Sequence, residues 1–253
     1  MNTELFNQFA PVLKSPSAPV LRDQRLLLEA DSDVAVYYAP FEYINPEAKI
    51  VLVGITPGPT QMVNANNVAR RVLLSGASSE EAIRSAKQEA AFSGKVMRSN
   101  LAHQLDHWGF HHWLGIKSAS RLFDNAGHLA QTTSLLRYPV FVRDDDYRGT
   151  PNMMKHPLLR KFLLNHFVRE VQEMKNALFL ALGPQVQRVL DQLCAEGLLD
   201  GDRLIRGLLH PSPNCTYRID YLIGDRTKGV PVKTNPAPYD QGRKSFQEQF
   251  LNA

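Results

Sequence analysis

The sequence predicts an α/β protein whose central sheet is parallel and covered by helices on both faces. Four short apolar segments have the composition of buried strands, and helical segments separate them. The first and the last of these strands each lead into a loop that contains proline. The predicted strands are residues 49–55, 129–136, 177–182 and 204–209.

The chain before the first strand is predicted to be mainly helical. In residues 1–30, leucine and phenylalanine recur at the spacing of one helix face. Residues 37–43 are rich in aromatic side chains and are predicted to form a loop or a short edge strand. The segment 49–55 is the clearest strand, because its run is short, β-branched and continuously apolar and a turn ends it.

Helices are predicted between and after the strands. Residues 60–128 are expected to be mostly helical, and Ser78 is a good N-cap because acidic residues follow it. The remaining predicted elements are a loop over 137–155, helices that begin at Pro157 and Pro184, a loop over 226–240 and a short helix over 245–251.

The chain length and composition favour one domain. Its 253 residues are 43% hydrophobic, which suffices for a single large α/β core. We therefore predict one domain, 1–253, with a helical N-terminal extension (1–34), a helical insert (60–128) and a C-terminal loop and helix (226–253).

The sequence predicts a cytoplasmic monomer that does not associate with membranes. It lacks the run of about 18 apolar residues that a membrane span requires. Its first residues also lack the basic start and apolar stretch of a secretory signal. The two cysteines, Cys194 and Cys215, are too few for a four-thiolate metal or iron–sulfur site and suit a reducing compartment.

The charge of the chain mildly favours an anionic partner. Lysine and arginine number 29 against 25 acidic residues, a formal net charge of +4. The basic residues crowd the middle of the chain between Arg70 and Lys161, with acidic interruptions at Glu80, Glu81 and residues 144–146. This pattern predicts either a surface that faces DNA or an ordinary solvated surface.

Two loops far apart in the sequence carry the residues most typical of a binding site. Gly-Ile-Thr-Pro-Gly-Pro (54–59) follows the first strand, and His-Pro-Ser-Pro-Asn (210–214) follows the fourth. In an open parallel sheet, ligands bind where the carboxyl ends of the strands meet. We therefore expect the two loops to form opposite walls of one pocket.

These two loops resemble the signature motifs of the uracil-DNA glycosylase superfamily, in its single-strand-selective and mismatch-specific branches. The first loop is similar to Gly-x-Asn-Pro-Gly and the second to His-Pro-Ser-Pro. Between them, Thr-Ser-Leu-Leu-Arg (133–137) looks like the base-contacting strand, usually Thr-Asn-x-x-Lys, and Leu-Gly-Pro (182–184) looks like the Leu-Gly turn. The likeness spans about residues 35–225. It implies a three-layer α/β/α sandwich around a four-stranded parallel sheet.

The resemblance implies a DNA glycosylase that flips a damaged or modified base out of DNA and hydrolyses its N-glycosidic bond. His210 would stabilise the charge that grows on the departing base. Thr56 stands where the family has Asp or Asn, so its hydroxyl either positions water weakly or caps the loop backbone. Glu42 and the aspartates at 144–146 are candidate substitutes for the missing acid. The enzyme is expected to need no cofactor and, without a recognisable lysine nucleophile near either loop, to be monofunctional.

The resemblance also implies where the base binds. Gly58 stands where the uracil-strict branch has an aromatic residue that blocks carbon 5, so this wall should be open. Ser134 replaces an Asn that reads the uracil edge, and a hydroxyl makes fewer hydrogen bonds than an amide. We therefore expect a bulkier 5-substituted or hypermodified pyrimidine rather than uracil, in DNA repair or in defence against phage. The implied base pocket comprises Gly54, Ile55, Pro57, Gly58, Thr133 and Ser134.

The second loop and the residues after it are implied to contact single- or double-stranded DNA. Tyr217 is expected to stack into the gap that a flipped base leaves, and Arg218 to hold a phosphate. The alternative is that Tyr217 packs on the adjacent helix. The implied DNA-binding residues are Ser212, Pro213, Asn214, Tyr217 and Arg218.

Other functions remain open at this point. The protein is alternatively a catalytically weak binder of modified bases, or an α/β enzyme that acts on free nucleosides or nucleotides. His103 and His107 share a helix face, as zinc ligands do, but no third ligand has suitable spacing, and no metal is expected. The apolar residues around them also suit an ordinary amphipathic helix.

Overall fold

The structure, a computed structural model, describes residues 3–94, 96–224, 226 and 234–252. The chain forms two compact units, each assembled from separate stretches of sequence. The single domain predicted from the sequence stays a prediction. The first unit comprises Met1–Pro46, Ile55–Ser93 and Thr132–Glu173, and the second comprises Glu47–Gly54, Gly94–Gln131 and Met174–Ala253.

The described residues contain two four-stranded sheets. The strands are β1 (Leu27–Ala30), β2 (Val34–Tyr37), β3 (Ile50–Gly54), β4 (Ala130–Ser134), β5 (Val140–Val142), β6 (Asp145–Asp146), β7 (Leu178–Ala181) and β8 (Leu204–Ile205). One sheet has the order β1-β2-β5-β6 and the other has the order β4-β3-β7-β8.

Helices occupy much of the remaining chain. They are α1 (Glu4–Lys14), α2 (Pro59–Leu74), α3 (Ser79–Ala90), α4 (Met97–Trp108), α5 (Phe110–Leu114), α6 (Pro157–Phe162), α7 (Arg169–Glu173), α8 (Pro184–Ala195), α9 (Thr216–Ile223) and α10 (Ala237–Phe250). A π-helical turn, Leu163–Val168, joins α6 to α7. None of the helices in the described ranges combines the length and the apolar character that crossing a bilayer requires.

The parallel sheet confirms the four predicted strands. β3 pairs with β7 in parallel, with Ile50 opposite Leu178, and β7 pairs with β8 in the same sense. All five residues of β3 are buried, which explains why its sequence is continuously apolar. A mixed α/β chain with a four-stranded parallel sheet confirms the coarse fold class and is compatible with a three-layer α/β/α arrangement.

β8 is shorter than predicted, because the chain leaves the extended conformation soon after Ile205. Gly207 has a φ of +98°, in the region that favours glycine, and a Cβ there would collide with the Pro238 carbonyl. The strand predicted over 204–209 is therefore regular only at its first two residues.

The antiparallel sheet was missed by the sequence analysis. Residues 27–30, predicted as helix, form β1 and pair with β2. In the predicted helical N-terminal extension, α1 is a helix, whereas β1 and β2 are strands. Residues 140–142 and 145–146, predicted as loop, form β5 and β6. These strands are two to four residues long, too short for a period-2 pattern, and their pairing partners decide their conformation.

In the first unit, α2 and α3 pack closely through small residues. The serine cap predicted for α3 is confirmed, since Ser78 Oγ accepts a hydrogen bond from the Glu81 amide (3.2 Å). Fully buried alanines on both helices allow their backbones to approach each other, and they are Ala65, Ala69, Ala82, Ala86 and Ala90. This packing fixes the buried face of α3, on which Lys87 also lies.

In the second unit, aromatic rings join α4, α5 and α10. The rings of Phe110 and Phe246 stack at 3.8 Å, and Trp108 meets Tyr239 edge to face. These contacts extend α10 over Ala237–Phe250, so the loop predicted to reach residue 240 ends earlier. Residues 227–233 of that predicted loop lie outside the described residues.

Candidate functional site

Thr56 anchors the loop that follows β3. Its Oγ1 donates a hydrogen bond to the Tyr138 carbonyl (3.0 Å) and accepts one from the Val140 amide (3.2 Å). Beside it, the Ile55 carbonyl accepts from the Leu136 amide (3.0 Å). The hydroxyl of Thr56 therefore donates its proton to the backbone. This is the arrangement expected if the residue caps the backbone rather than positions water.

Gly58 leaves open space beside this loop. A Cβ added there meets no atom within 4 Å; the open wall of a base pocket at this position stays a prediction. The backbone of Gly58 is extended, with φ −79° and ψ 173°, so its conformation does not require glycine. Glycine at this position therefore leaves unfilled space, and the turn itself does not need it.

A small cavity in the first unit includes this loop in its lining. Its free volume is about 20 Å³, enough for one water molecule. The structure thus brings together Pro57, Thr133 and Ser134, three of the predicted pocket residues, around a space smaller than a pyrimidine. The lining residues are Phe41, Pro57, Gln61, Lys87, Ala91, Phe92, Thr132, Thr133, Ser134 and Arg137.

Lys87 is a buried cation in the lining of the cavity. Lys87 is 2% exposed, and its Nζ donates hydrogen bonds to the carbonyls of Phe41 (3.0 Å) and Tyr43 (2.6 Å). Burial lowers the pKa of Lys87 to about 8, against the opposing charge of the Glu170 carboxylate. The ammonium therefore remains charged at neutral pH but loses its proton in mildly alkaline solution.

Arg137 and Glu170 form a buried ion pair in the same cluster. Nε and Nη2 of Arg137 lie 2.8 and 2.6 Å from Oε1 of Glu170, a residue with no exposed surface. Burial alone would raise the pKa of Glu170, but the charges of Arg137 and Lys87 outweigh it and hold that pKa below its usual value. Glu170 is therefore a carboxylate at neutral pH.

Glu42 joins this cluster, whereas the aspartates at 144–146 do not. Its Oε1 accepts a hydrogen bond from the Tyr138 hydroxyl (3.3 Å), and burial raises the pKa of its carboxyl group. The aspartates lie in the exposed turn of β5 and β6, where Asp144 pairs with Arg22 at 2.5 Å. Of the predicted substitute acids, Glu42 therefore lies beside Tyr138, the residue whose carbonyl accepts the hydrogen bond from Thr56.

A larger groove of about 640 Å³ also lies in the first unit. Its volume falls within the range of small-ligand sites. Glu42, Arg137, Tyr138 and His166 contribute to its lining. Burial lowers the pKa of His166 to about 4, and the charge of Arg137 adds to this effect, so the imidazole is neutral at physiological pH. Arg137 lines both this groove and the small cavity.

In the second unit, His210 lies in the loop that follows β8. The Ser212 amide donates a hydrogen bond to its Nδ1 (3.2 Å), so the neutral ring carries its proton on Nε2. Burial lowers the pKa of His210 and favours this neutral form. The imidazole is therefore arranged as a hydrogen-bond donor through Nε2.

Gly183, in the turn after β7, allows the backbone to approach His210 closely. It has a φ of +97°, and a Cβ there would come within 3.2 Å of the His210 Cβ. The conformation therefore favours glycine, and a side chain there would also crowd His210. This explains the Leu-Gly turn that the sequence analysis identified.

Two amide side chains of α4 hold the His210 loop. Gln104 donates to the Leu209 carbonyl (3.2 Å) and accepts from the Leu209 amide (2.9 Å). Asn100 donates to the Pro211 carbonyl (3.1 Å) and to the Thr216 hydroxyl (2.8 Å). These bonds fix the residues on both sides of His210, as a preorganised donor requires.

Tyr217 is exposed at the start of α9. Its relative exposure is 49%, so about half of its surface is open to solvent, and its stacking into DNA stays a prediction. Arg218 Nε donates to the Tyr217 hydroxyl (2.9 Å) and its guanidinium lies 5.4 Å from the ring. Pro213 and Asn214 before them are exposed and Ser212 is half-buried. The predicted DNA-contacting residues thus form a continuous stretch from loop to helix.

The two histidines of α4, His103 and His107, lie in different surroundings. His103 is exposed, and His107 stacks on Tyr239 and lies 3.2 Å from Nη1 of Arg243. Burial lowers the pKa of His107, and Arg243 adds to the effect. Within the described ranges, no three His, Cys, Asp or Glu side chains are grouped to hold a metal ion. Both cysteines are free thiols.

Several buried polar residues on otherwise apolar helix faces were not predicted from the sequence. Lys87, for example, lies four residues after buried Ile83 and three before buried Ala90. A charged or amide side chain at a position where the helix pattern predicts core must find buried polar partners. Such a residue in the pattern is therefore a sequence signal of a buried polar cluster. The missed residues are Lys87, Asn100, Gln104 and Glu170.

Comparison with known proteins identifies a bacterial relative. The chain is similar to the uncharacterized protein YoxB of Bacillus subtilis (strain 168), with 36% identity over 195 residues, or 76% of each chain. No protein-family model matches the chain. No solved structure matches it either. Function must therefore follow from the chemistry of the residues described above.

Proposed function

We propose that this chain, which belongs to the same family as YoxB, is a DNA glycosylase for a damaged or modified base. His210 is the observation that supports this most directly, because it is a neutral imidazole with its proton on Nε2. β3, β7 and β8 are parallel, so Gly54 and the loop of His210 leave the same edge of the sheet. Parallel sheets bind ligands at this edge.

The proposed reaction breaks the bond between C1′ of the sugar and the ring nitrogen of a flipped base. The electron pair of that bond stays on the base, and the oxygen of a water molecule bonds to C1′. The proton that this water loses ends on the departing base. Nε2–H of His210 donates to the base oxygen on which negative charge grows, a contribution of about 3–4 kcal/mol for a buried, preorganised donor. The proposal requires no cofactor and no covalent enzyme intermediate.

The environment of Gly58 supports a bulky base. The unfilled space beside it can accept a substituent on carbon 5 of a pyrimidine. Ser134 in the cavity lining offers one hydroxyl where a uracil reader would offer an amide. We therefore propose a 5-substituted or hypermodified pyrimidine as the target, which suits repair or defence against phage with altered DNA.

The stretch after His210 supports DNA as the partner. A flipped base leaves a gap that an exposed ring can fill, and Tyr217 is such a ring. Arg218 beside it supplies a cation for a phosphate. The net charge of +4 is compatible with this partner.

The hydrogen bonds of Thr56 favour a second candidate, a protein that flips and holds a modified base without cutting DNA. Because its hydroxyl proton is directed to the Tyr138 carbonyl, Thr56 is poorly arranged to position water. Such a protein would retain the His210 contact to the base but release nothing.

An alkali-cleavage assay separates the two candidates. Single- and double-stranded DNA carrying uracil, 5-hydroxymethylcytosine or its glucosylated form is incubated with the protein and then treated with alkali. A glycosylase leaves abasic sites that break. His210→Ala should slow this release at least about 100-fold, whereas His103→Ala, at an exposed position on α4, should leave it unchanged.

Each other outcome of this assay has a distinct meaning. A gel shift with intact strands supports the binder. Cleavage of uracil alone contradicts the open wall as a determinant of specificity. Release that is independent of His210 contradicts the proposed mechanism.

A further inference from the structure

The small cavity of the first unit is lined by cations. Lys87 and Arg137 both contribute to its described lining, which contains no carboxylate. Glu170 and Glu42 belong to the same buried cluster but not to that lining. A ligand that enters this space therefore meets two cationic side chains and no carboxylate.

The cations of the buried cluster line the cavity, and its acids lie behind them. Lys87 and Arg137 are both cationic at neutral pH and both contribute to the lining. Glu170 and Glu42 are bonded to Arg137 and Tyr138 and stand outside the lining. A negatively charged group on a ligand in the cavity can therefore pair with the two cations.

Lys87 also has donor capacity beyond its two backbone contacts. An ammonium group carries three N–H donors, and two of them are directed to the carbonyls of Phe41 and Tyr43. The third can serve a ligand in the cavity that Lys87 lines. Ser134 and Gln61 add neutral polar groups to the same lining.

The apolar walls of the cavity include a strained residue. Phe92 is buried and has a φ of +50°, a left-handed conformation that is unusual for a bulky side chain. Such strain tends to occur where ligands bind. As folded, the cavity holds about one water molecule, so a planar ring can enter only if a wall such as Phe92 moves aside. Phe41 and Pro57 offer flat apolar surfaces to such a ring.

We propose that this cavity, with Phe92 displaced, binds an acidic pyrimidine and that the Lys87 ammonium is the charged donor that selects it. The negative charge lies on the ring, as in a departing base, or on an acidic substituent at carbon 5. The inference rests on the proposed glycosylase function and narrows its substrate class. Lys87 is thereby a specificity-determining residue that contacts the base.

Binding of free bases tests this inference without DNA cleavage. The dissociation constants of 5-carboxyuracil and uracil are measured by calorimetry at pH 7. We expect the wild type to prefer 5-carboxyuracil by about tenfold or more, as one charge-assisted hydrogen bond allows. Lys87→Gln should lose this preference, and Lys87→Arg, which keeps the charge, should retain it. Circular dichroism confirms that each variant is folded.

The pH dependence of this preference provides a second measurement. As pH rises through about 8, Lys87 loses its proton and the wild type should lose its preference, whereas Lys87→Arg should keep it. The charged groups that face Lys87 are Glu170, Arg137 and Glu42. Arg137 stays cationic and Glu170, with its lowered pKa, stays a carboxylate over this range, and Glu42 is present in both the wild type and Lys87→Arg. The arginine variant binds the same ligand at the same pH, which controls for ligand titration.

The outcomes distinguish this inference from the proposed function. Equal affinity for the two bases, or a preference that persists in folded Lys87→Gln, overturns the inference even if the protein releases bases from DNA. A Lys87-dependent preference in a protein that releases no base contradicts the glycosylase and leaves the cavity as a binding site. If Lys87→Gln does not fold, identical pH profiles of the wild type and Lys87→Arg overturn the inference.

Discussion

Thr56 and His210 show how hydrogen-bond partners determine the chemistry of a side chain. The sequence placed both residues in strand-end loops and marked both as catalytic candidates. It did not show that the proton of Thr56 is directed to Tyr138, 82 positions away in the chain, or that Ser212 fixes the tautomer of His210. Partners of this kind depend on the folded chain, so motif spacing alone predicts the residues but not their protonation or orientation.

Replacement of Thr56 tests whether its main role is structural. Thr56→Val leaves the Tyr138 carbonyl and the Val140 amide without their side-chain partner, at a cost of about 1–3 kcal/mol in the free energy of unfolding. Thr56→Ser keeps the hydroxyl and should stay within about 1 kcal/mol of the wild type. Urea unfolding measures both values. Equal stability of the valine variant and the wild type would contradict the anchoring role.

At the scale of elements, helices were easier to predict than short strands. Helices between 60 and 128 have repeated apolar positions that are visible in the sequence, and β3 has a continuous apolar run. β1, β5 and β6 have too few residues for a pattern, and their pairing involves distant segments. The buried charges of α3 and α7 were missed for a related reason, because Lys87 and Glu170 interrupt patterns that otherwise indicate ordinary core helices.

The ion pair of Glu170 on α7 makes the stability of the fold depend on pH. The pKa of Glu170 is lower in the folded protein than its usual value of 4.5, so its stabilising effect is complete above that value and is lost as pH falls through the folded pKa. Glu170→Gln leaves Arg137 buried without its partner and should cost about 3–5 kcal/mol at pH 7.

Urea unfolding at pH 7 and at about pH 3 measures this effect. The difference between Glu170→Gln and the wild type should shrink at the lower pH, because below about 4.5 the carboxyl group takes up a proton in the unfolded wild type more readily than in the folded protein. Glu173→Gln, at an exposed residue of the same helix, is a matched control. A difference for Glu170→Gln that is the same at both pH values would show that its charge does not stabilise the fold.

For the whole molecule, the sequence predicted the parallel sheet and the loops at its edge. It did not predict the antiparallel sheet, nor that each of the two compact units is assembled from separate stretches of the chain. Membership of a unit depends on contacts between distant segments, and a pattern read along the chain does not contain them. For the same reason the cation-lined cavity was missed, since α3, the loop at Phe41, β4 and Arg137 all contribute to it.

Release of a base from DNA is the central property of the proposed function, and mass spectrometry detects it directly. DNA that carries a range of pyrimidine modifications is incubated with the wild type and with His210→Ala, and the small molecules are separated from the polymer. We predict that the wild type liberates a free 5-substituted pyrimidine and that His210→Ala yields almost none. Intact DNA, with no free base from any modification, would contradict the assignment as a glycosylase.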